Sequence, residues 1–187
     1  MRFGAVAFLF ALSTASAGAA QRSWPDAEVL RGTLSFDGKS TLGDFTGTTS
    51  TVRGQMTGAA TLAEVRGWVE APVSSLKTGN DRRDRDLLKT MEAGVYPIIR
   101  FELTGVTPEW ERGDSAGVVL AGNFVIHGVT RAERIKATVV RGAEGIHLTS
   151  AEIPMDLHDY QIDKLTRFLV FKMQRDIVVH IDITFRG

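Results

Sequence analysis

The residues of this sequence that could do chemistry are few, and the first candidate among them is a serine motif. Gly113-Asp114-Ser115-Ala116-Gly117 matches G-x-S-x-G, the turn that presents the nucleophile of many hydrolases. Such a turn needs a strand before it and a helix after it. Here a charged segment precedes the motif and an alternating apolar run follows it. We therefore interpret the motif as a hairpin turn and expect no catalytic residue, with a periplasmic hydrolase kept as an alternative.

Metal, thiol and nucleotide chemistry are not indicated either. The four histidines, His127, His147, His158 and His180, do not have H-x-H or H-E-x-x-H spacing, and a metal site needs three or four convergent ligands. The absence of cysteine excludes disulfides, thiolate nucleophiles and cysteine-based zinc sites. No glycine-rich phosphate loop begins a helix. We expect no metal and no cofactor.

A single amphipathic helix is predicted from Asp81 to Glu92. Leu87, Leu88 and Met91 fall on one stripe of this helix, and Gly94 is placed to cap its end. The helix stands alone in a chain whose other segments have the period of strands. We expect it to cap the mouth of a β-barrel with its apolar stripe turned inward.

The arginines of this helix are candidates for ligand contacts. Arg82 and Arg85 would stand at the mouth, where a guanidinium can donate to an anionic or polar head group. Asp81, Asp84 and Asp86 lie between them and offset their charge. The alternative is a solvated helix face, and the apolar stripe is the more informative feature.

Elsewhere apolar residues alternate with outward-facing residues along short segments, which is typical of half-buried strands. The last segment shows this most clearly, with Ile177, Val179, Ile181, Ile183 and Phe185 on one face. About eight such segments with one inserted helix predict an all-β fold, a closed antiparallel β-barrel, with a β-sandwich as the second choice.

The inward-facing residues of different strands are candidates for the lining of a ligand cavity. A surplus of small and apolar inward positions suits a chain that encloses a molecule rather than one that transforms it. The alternative for each residue is a filled core, because small barrels usually pack their interiors solid. The candidates are Val65, Val69, Ile99, Phe101, Phe124, Ile126, Ile181 and Ile183.

The first twenty residues have the features of a signal peptide. Arg2 is followed by an apolar run over residues 3–12, and small residues at Ala17–Ala20 suit cleavage. The run is too short to cross a bilayer. We expect residues 21–187 to form one domain that is periplasmic or secreted, with no stable membrane insertion. The 22 basic and 22 acidic residues balance, so nothing indicates a nucleic-acid partner.

Three motifs between residues 80 and 130 resemble those of the YceI-like, polyisoprenoid-binding family of exported bacterial proteins. Asn80–Leu88 is similar to the family's Asn/Glu-Arg-Asp-x-x-Leu helix start, and Val95–Phe101 to its Tyr/Phe-Pro-x-x-x-Phe strand start. Leu120–Thr130 resembles its Gly-x-Leu-x-Ile/Leu-x-Gly-Val-Thr hairpin. Each motif is weak alone, but three in order with the right spacing are a fairly specific signal.

The resemblance implies a lipocalin-like, eight-stranded antiparallel barrel whose apolar cavity holds an isoprenoid or another long-chain lipid, without catalysis. Many family members carry a His-Leu-Gly-like segment in the early strands, whereas residues 35–45 here read SFDGKSTLGDF. This departure leaves the identity of the ligand open. A solid barrel that binds a protein through its loops is the alternative, and a homodimer is left open as well.

Overall fold

A computed structural model describes residues 23–41, 43–162 and 173–187. Over these residues the fold has ten strands, one α-helix and three short 3-10 helices. The strands are β1 (Ala27–Gly38), β2 (Phe45–Thr49), β3 (Arg53–Thr57), β4 (Arg66–Pro72), β5 (Ile98–Arg112), β6 (Ser115–Ile126), β7 (Val129–Gly142), β8 (Gly145–Ser150), β9 (Ile153–Asp156) and β10 (Asp176–Arg186). The helix, α1, spans Asp81–Thr90.

Eight of these strands close into an antiparallel barrel because β1, at one side of the sheet, also pairs with β10. The remaining two, β2 and β9, extend the wall at one end. Strand β1 pairs with β3 near Ala27 and with β2 from Leu34 onward, and β10 is divided in the same way between β8 and β9. This confirms the predicted lipocalin-like barrel of about eight strands with one helix.

The core lies inside the barrel, where every second residue of each strand points. On β6, buried positions alternate with partly exposed ones from Val118 to Ile126. Phe101 on β5 is directly opposite Phe124 on β6, and their ring centroids are 4.8 Å apart. Burying one such side chain contributes about 1.5–3 kcal/mol, so the inward faces of the strands supply most of the driving force for closure.

Helix α1 begins with a side-chain cap. The Asn80 side chain accepts hydrogen bonds from the backbone N–H groups of Arg82 and Arg83 at 3.0 and 3.1 Å. These are two of the N–H groups that have no partner inside the helix, which is why asparagine is favoured at this position. The predicted start of the helix is therefore confirmed.

The end of α1 differs from the prediction. The helix stops at Thr90, two residues early, and the residue with left-handed backbone is Glu92 (φ 45°) rather than Gly94. The N–H of Ala93 donates to Leu88 O at 3.0 Å and that of Glu92 donates to Lys89 O at 3.2 Å, the bonds of a Schellman cap. The carbonyl oxygen of Glu92 then accepts hydrogen bonds from the N–H groups of Val95 and Tyr96. These bonds complete the turn without a left-handed cap at Gly94.

Two tight hairpins connect the central strands. The G-x-S-x-G segment forms the β5–β6 turn, with Gly113 at φ 58° and Ser115 as the first residue of β6. A strand rather than a helix follows the serine, so the predicted hairpin turn is confirmed. The β6–β7 turn has positive φ at both His127 (52°) and Gly128 (76°), as two-residue type I′ hairpins require.

Strand β4 is flanked by 3-10 helices at Leu62–Glu64 and Val73–Ser75. The predicted signal peptide, residues 1–20, lies outside the described residues. In the part of the chain that is described, no helix is long and apolar enough to cross a membrane.

Candidate functional site: the interior of the barrel

The barrel interior contains two adjacent cavities, which we call the upper and lower chambers. The upper chamber, about 110 Å³, lies beneath α1 and is bordered by Leu87 of the helix and by Met91, the residue that follows it. The lower chamber, about 70 Å³, lies toward Trp24 and the 3-10 helix that begins at Leu62. Among the described residues, no polar atom is exposed to the empty space of the upper chamber. Its wall is therefore suited to hydrocarbon rather than to a polar molecule.

All eight predicted lining residues border one of the two chambers. Those of the upper chamber alone are Ile99, Phe124 and Ile126, those of the lower chamber alone are Val65 and Ile183, and those of both are Val69, Phe101 and Ile181. Their role in binding stays a proposal. The interior is therefore not filled solid by side chains.

The three shared residues lie where the two chambers adjoin. Val69 and Phe101 are directly paired on β4 and β5, and Ile181 projects from β10. The Phe101 ring lies over Gly122, where an added Cβ would be only 2.4 Å from its Cζ atom. The missing side chain at residue 122 thus provides the space that the ring occupies.

The predicted mouth residues divide into two groups. Leu87 and Met91 border the upper chamber, and Leu88 packs against the core. Arg82 and Arg85 are exposed on α1, and their predicted contact with a ligand stays a prediction.

The arginine between them turns toward the barrel instead. The Arg83 guanidinium lies 4.2 Å from the centroid of the Phe45 ring, and its Nε donates to Thr78 Oγ1 at 3.1 Å. A guanidinium over an aromatic face is held by the charge distribution of the ring. Arg83 therefore fastens α1 to β2 at the rim.

A buried carboxylate also ties the helix to Thr78. Asp84 Oδ1 accepts hydrogen bonds from the Thr78 N–H (2.8 Å) and hydroxyl (2.6 Å), and Lys77 Nζ is 3.8 Å from Oδ2. Burial by itself would raise the pKa of Asp84. The two bonds from Thr78 and the charges of Lys77 and Arg83 outweigh burial and lower that pKa.

His127 links the β6–β7 turn to the residues that follow α1. Its Nε2 atom is 3.0 Å from Glu92 Oε2, and its Nδ1 atom is 3.1 Å from the carbonyl oxygen of Tyr160. Tyr96 packs on the ring at 4.5 Å between centroids, and the side chain is only 9% exposed. The imidazole therefore holds together the β6–β7 turn, the end of α1 and the segment at Tyr160.

Some wall residues could have been predicted, and others could not. Leu34 and Phe36 of β1 and Val179 of β10 border the upper chamber and have the same period-two signal as the predicted set. Met155 and Ile162 also border it but come from an irregular stretch without periodicity. The sequence does carry a signal for the position of His127, because a His-Gly pair between two apolar runs is typical of a turn.

The remaining polar clusters lie on the outer wall. His147 Nε2 is 2.9 Å from Asp182 Oδ1, and His180 Nε2 is 2.9 Å from Asp37 Oδ2. Across residues 23–41, 43–162 and 173–187, no three His, Asp or Glu side chains converge as metal ligands would. The outer pairs are therefore cross-strand contacts of the barrel.

Comparison with known proteins agrees with this architecture. The sequence matches the YceI-like domain over residues 27–185. The chain belongs to the YceI-like domain family. The match includes every strand of the barrel but the last residue of β10. No curated protein matches the sequence.

Solved structures share the YceI-like fold at low sequence identity. A polyisoprenoid-binding domain from Saccharophagus degradans aligns with a TM-score of 0.71 at 15% identity, over 88% of this chain and 99% of that domain. BcnA from Burkholderia cenocepacia gives 0.69 at 13%, over 83% and 96%. A YCEI protein from Campylobacter jejuni gives 0.57 at 19%, over 75% and 84%. At these identities the likeness establishes the fold.

Proposed function

We propose that this protein is an exported carrier or sequestering protein that binds an isoprenoid or another long-chain amphiphile inside its barrel. The observation that carries the proposal is the wholly apolar surface of the upper chamber. Water in such a space would have no hydrogen-bond partners, whereas a hydrocarbon chain gains about 0.8 kcal/mol for each buried CH₂ group.

The position of the chambers supports binding of an elongated ligand. Inward residues of β10 border the upper chamber at Ile177 and the lower one at Phe185. Eight residue steps of about 3.3 Å, along a strand tilted by about 40°, correspond to roughly 20 Å of barrel length. The family relationship supports the same ligand class, since the S. degradans relative is described as polyisoprenoid-binding.

The binding proposal can be tested with a variant that fills the upper chamber. Val179 borders this chamber, and Val178 beside it on β10 faces outward. Val179→Phe should weaken the uptake of an added isoprenoid alcohol by about tenfold or more, and Val178→Phe, the matched control, should leave it unchanged. Native mass spectrometry of gently purified protein provides the second measurement. The proposal fails if no lipid is bound after purification and none is taken up.

Export is part of the same proposal and has its own test. The N-terminal sequence has the charged, apolar and small-residue regions that a signal peptide needs. Mature protein recovered from a periplasmic fraction should begin between residues 18 and 21 when its N-terminus is sequenced. Recovery of the uncleaved chain from the cytoplasm alone would contradict export without affecting lipid binding.

A further inference from the structure

The side of α1 that faces away from the barrel carries a row of three cations. We propose that this row, together with the nearby Val95, docks the mouth of the barrel on an anionic phospholipid bilayer. The docking is peripheral and reversible. It concerns the surface on which the protein rests rather than what its interior binds, so the inference goes beyond the proposed function.

The row is formed by Arg82, Arg85 and Lys89, which are three and four residues apart and therefore lie along one side of the helix. All three side chains are exposed. Leu87, which borders the upper chamber, lies on the opposite side of α1. The cations therefore point outward from the mouth, away from the barrel interior.

These three side chains are not engaged within the protein. Across residues 23–41, 43–162 and 173–187, none of them takes part in a salt bridge or a side-chain hydrogen bond. Their N–H donors are therefore available to phosphate oxygens outside the protein. The arginines of the barrel wall and rim that do pair with a carboxylate are Arg31, Arg53, Arg100 and Arg131.

The acidic residues of α1 limit the strength of this attraction. Asp84 is buried and bound by Thr78, whereas Asp81 and Asp86 flank the row of cations on either side. The outward side of the helix thus has three positive and two negative charges. A net charge this small suits contact that is weak and reversible, and it needs an apolar contribution to hold the protein on a bilayer.

Val95 supplies an apolar side chain beside the helix. It is 69% exposed, more than any other large apolar residue of the described chain. It lies on the turn between α1 and β5, where its N–H donates to the carbonyl oxygen of Glu92 at 2.8 Å. An exposed apolar side chain next to a cationic helix face is the arrangement by which peripheral proteins enter the boundary between head groups and acyl chains.

The first experiment measures flotation of the purified protein with phosphatidylcholine vesicles that contain or lack phosphatidylglycerol. The vesicles hold no isoprenoid, so the result is independent of ligand uptake. The protein should float with the anionic vesicles and not with the neutral ones. Added NaCl should weaken the binding, because salt screens exposed charges.

A pair of double variants tests whether the contact is made by α1. Arg85→Gln/Lys89→Gln should weaken binding to the anionic vesicles by about tenfold or more, since each cation near an anionic membrane contributes about 1 kcal/mol. Arg134→Gln/Lys136→Gln is the matched control, because it removes the same charges from exposed positions on the outer face of β7. The control should bind within about twofold of the wild type.

A fluorescent label tests the place of Val95. The chain contains no cysteine, so an environment-sensitive fluorophore can be attached at one chosen position. On the labelled Val95→Cys variant, its emission should rise and shift to the blue when anionic vesicles are added. On the labelled Leu30→Cys variant, at an exposed apolar position of β1, it should not change.

The outcomes distinguish a bilayer from a free phosphate and from an unspecific charge effect. Free glycerol phosphate, at matched ionic strength, should weaken binding no more than NaCl does, and stronger competition would overturn the bilayer as the partner. Equal binding to both kinds of vesicle, equal losses in the two double variants, or an unchanged signal at Val95 would also overturn the proposal. Each of these leaves lipid binding inside the barrel standing, whereas docking without uptake of lipid would overturn only the proposed function.

Discussion

His127 Nε2 lies 3.0 Å from Glu92 Oε2, so that the β6–β7 turn is joined to the cap of α1 by a largely buried contact. Both residues have left-handed backbone, with φ values of 52° and 45°. A third such residue, Gln161, follows Tyr160, whose carbonyl oxygen is the other partner of the His127 ring. All three non-glycine residues with positive φ in the described chain thus lie around one imidazole at the mouth of the barrel.

The His127–Glu92 contact should stabilise the folded protein measurably. We expect a double-mutant cycle with His127→Gln and Glu92→Gln to give a coupling free energy of about 1 kcal/mol, because a hydrogen bond that is mostly shielded from water is stronger than an exposed one. Urea denaturation of the four proteins provides the free energies of unfolding. A coupling within error of zero would show that the two side chains are neighbours without mutual stabilisation.

The backbone of Glu92 should favour glycine once the contact with His127 is lost. Glu92→Ala and Glu92→Gly both remove the carboxylate, but only glycine adopts a φ of 45° without steric cost. Glu92→Gly should therefore be more stable than Glu92→Ala by about 1 kcal/mol in urea denaturation. Equal stabilities would mean that the segment after Thr90 relaxes in the alanine variant.

Asp84 should make the stability of the protein depend on acidic pH. Its pKa is lowered in the folded state, so its contribution is fully present above the unfolded pKa of about 4 and is lost as pH falls through the folded value. Asp84→Asn should cost about 1–2 kcal/mol at pH 7, since the amide replaces a charged acceptor of two bonds. The difference from wild type should shrink below pH 4 in denaturation curves at several pH values. A difference that is constant from pH 7 to pH 3 would rule out the titration of Asp84 as its source.

Tyr160 should make the protein sensitive to alkaline pH. Burial raises the pKa of this phenol to about 12, and within the described residues its hydroxyl has no hydrogen-bond partner. The folded state therefore holds a proton that the unfolded state releases near pH 10, so stability falls as pH rises from about 10 to 12. Tyr160→Phe removes that loss. At pH 7 it should be neutral or stabilising by up to about 1 kcal/mol, because no bond is broken. If Tyr160→Phe is clearly destabilised at pH 7, the hydroxyl has a partner in solution.

Local patterns in the chain were sufficient to predict the barrel and to identify its inward-facing residues. Period-two alternation along Ile177–Phe185 places side chains on opposite faces of a strand whatever it pairs with, and helical spacing places Leu87 and Met91 on one stripe. The Asn80 cap and the Gly113 turn are also set by a few neighbouring residues. The identities of these residues therefore predicted strands, helix, hairpin and inner face before any contact was known.

Other features depend on contacts between segments that are distant in sequence, and only the tertiary structure decided them. Val69, Phe101 and Ile181 meet because closure brings β4, β5 and β10 together, and Gly122 leaves space for the Phe101 ring across the β5–β6 pair. The left-handed cap lies at Glu92 rather than Gly94, and the carboxylate of Glu92 is in contact with a histidine 35 residues away. Alternation along one strand says which side chains point inward, but whether they meet, leave a cavity or divide it depends on the register and the side chains of strands elsewhere in the chain.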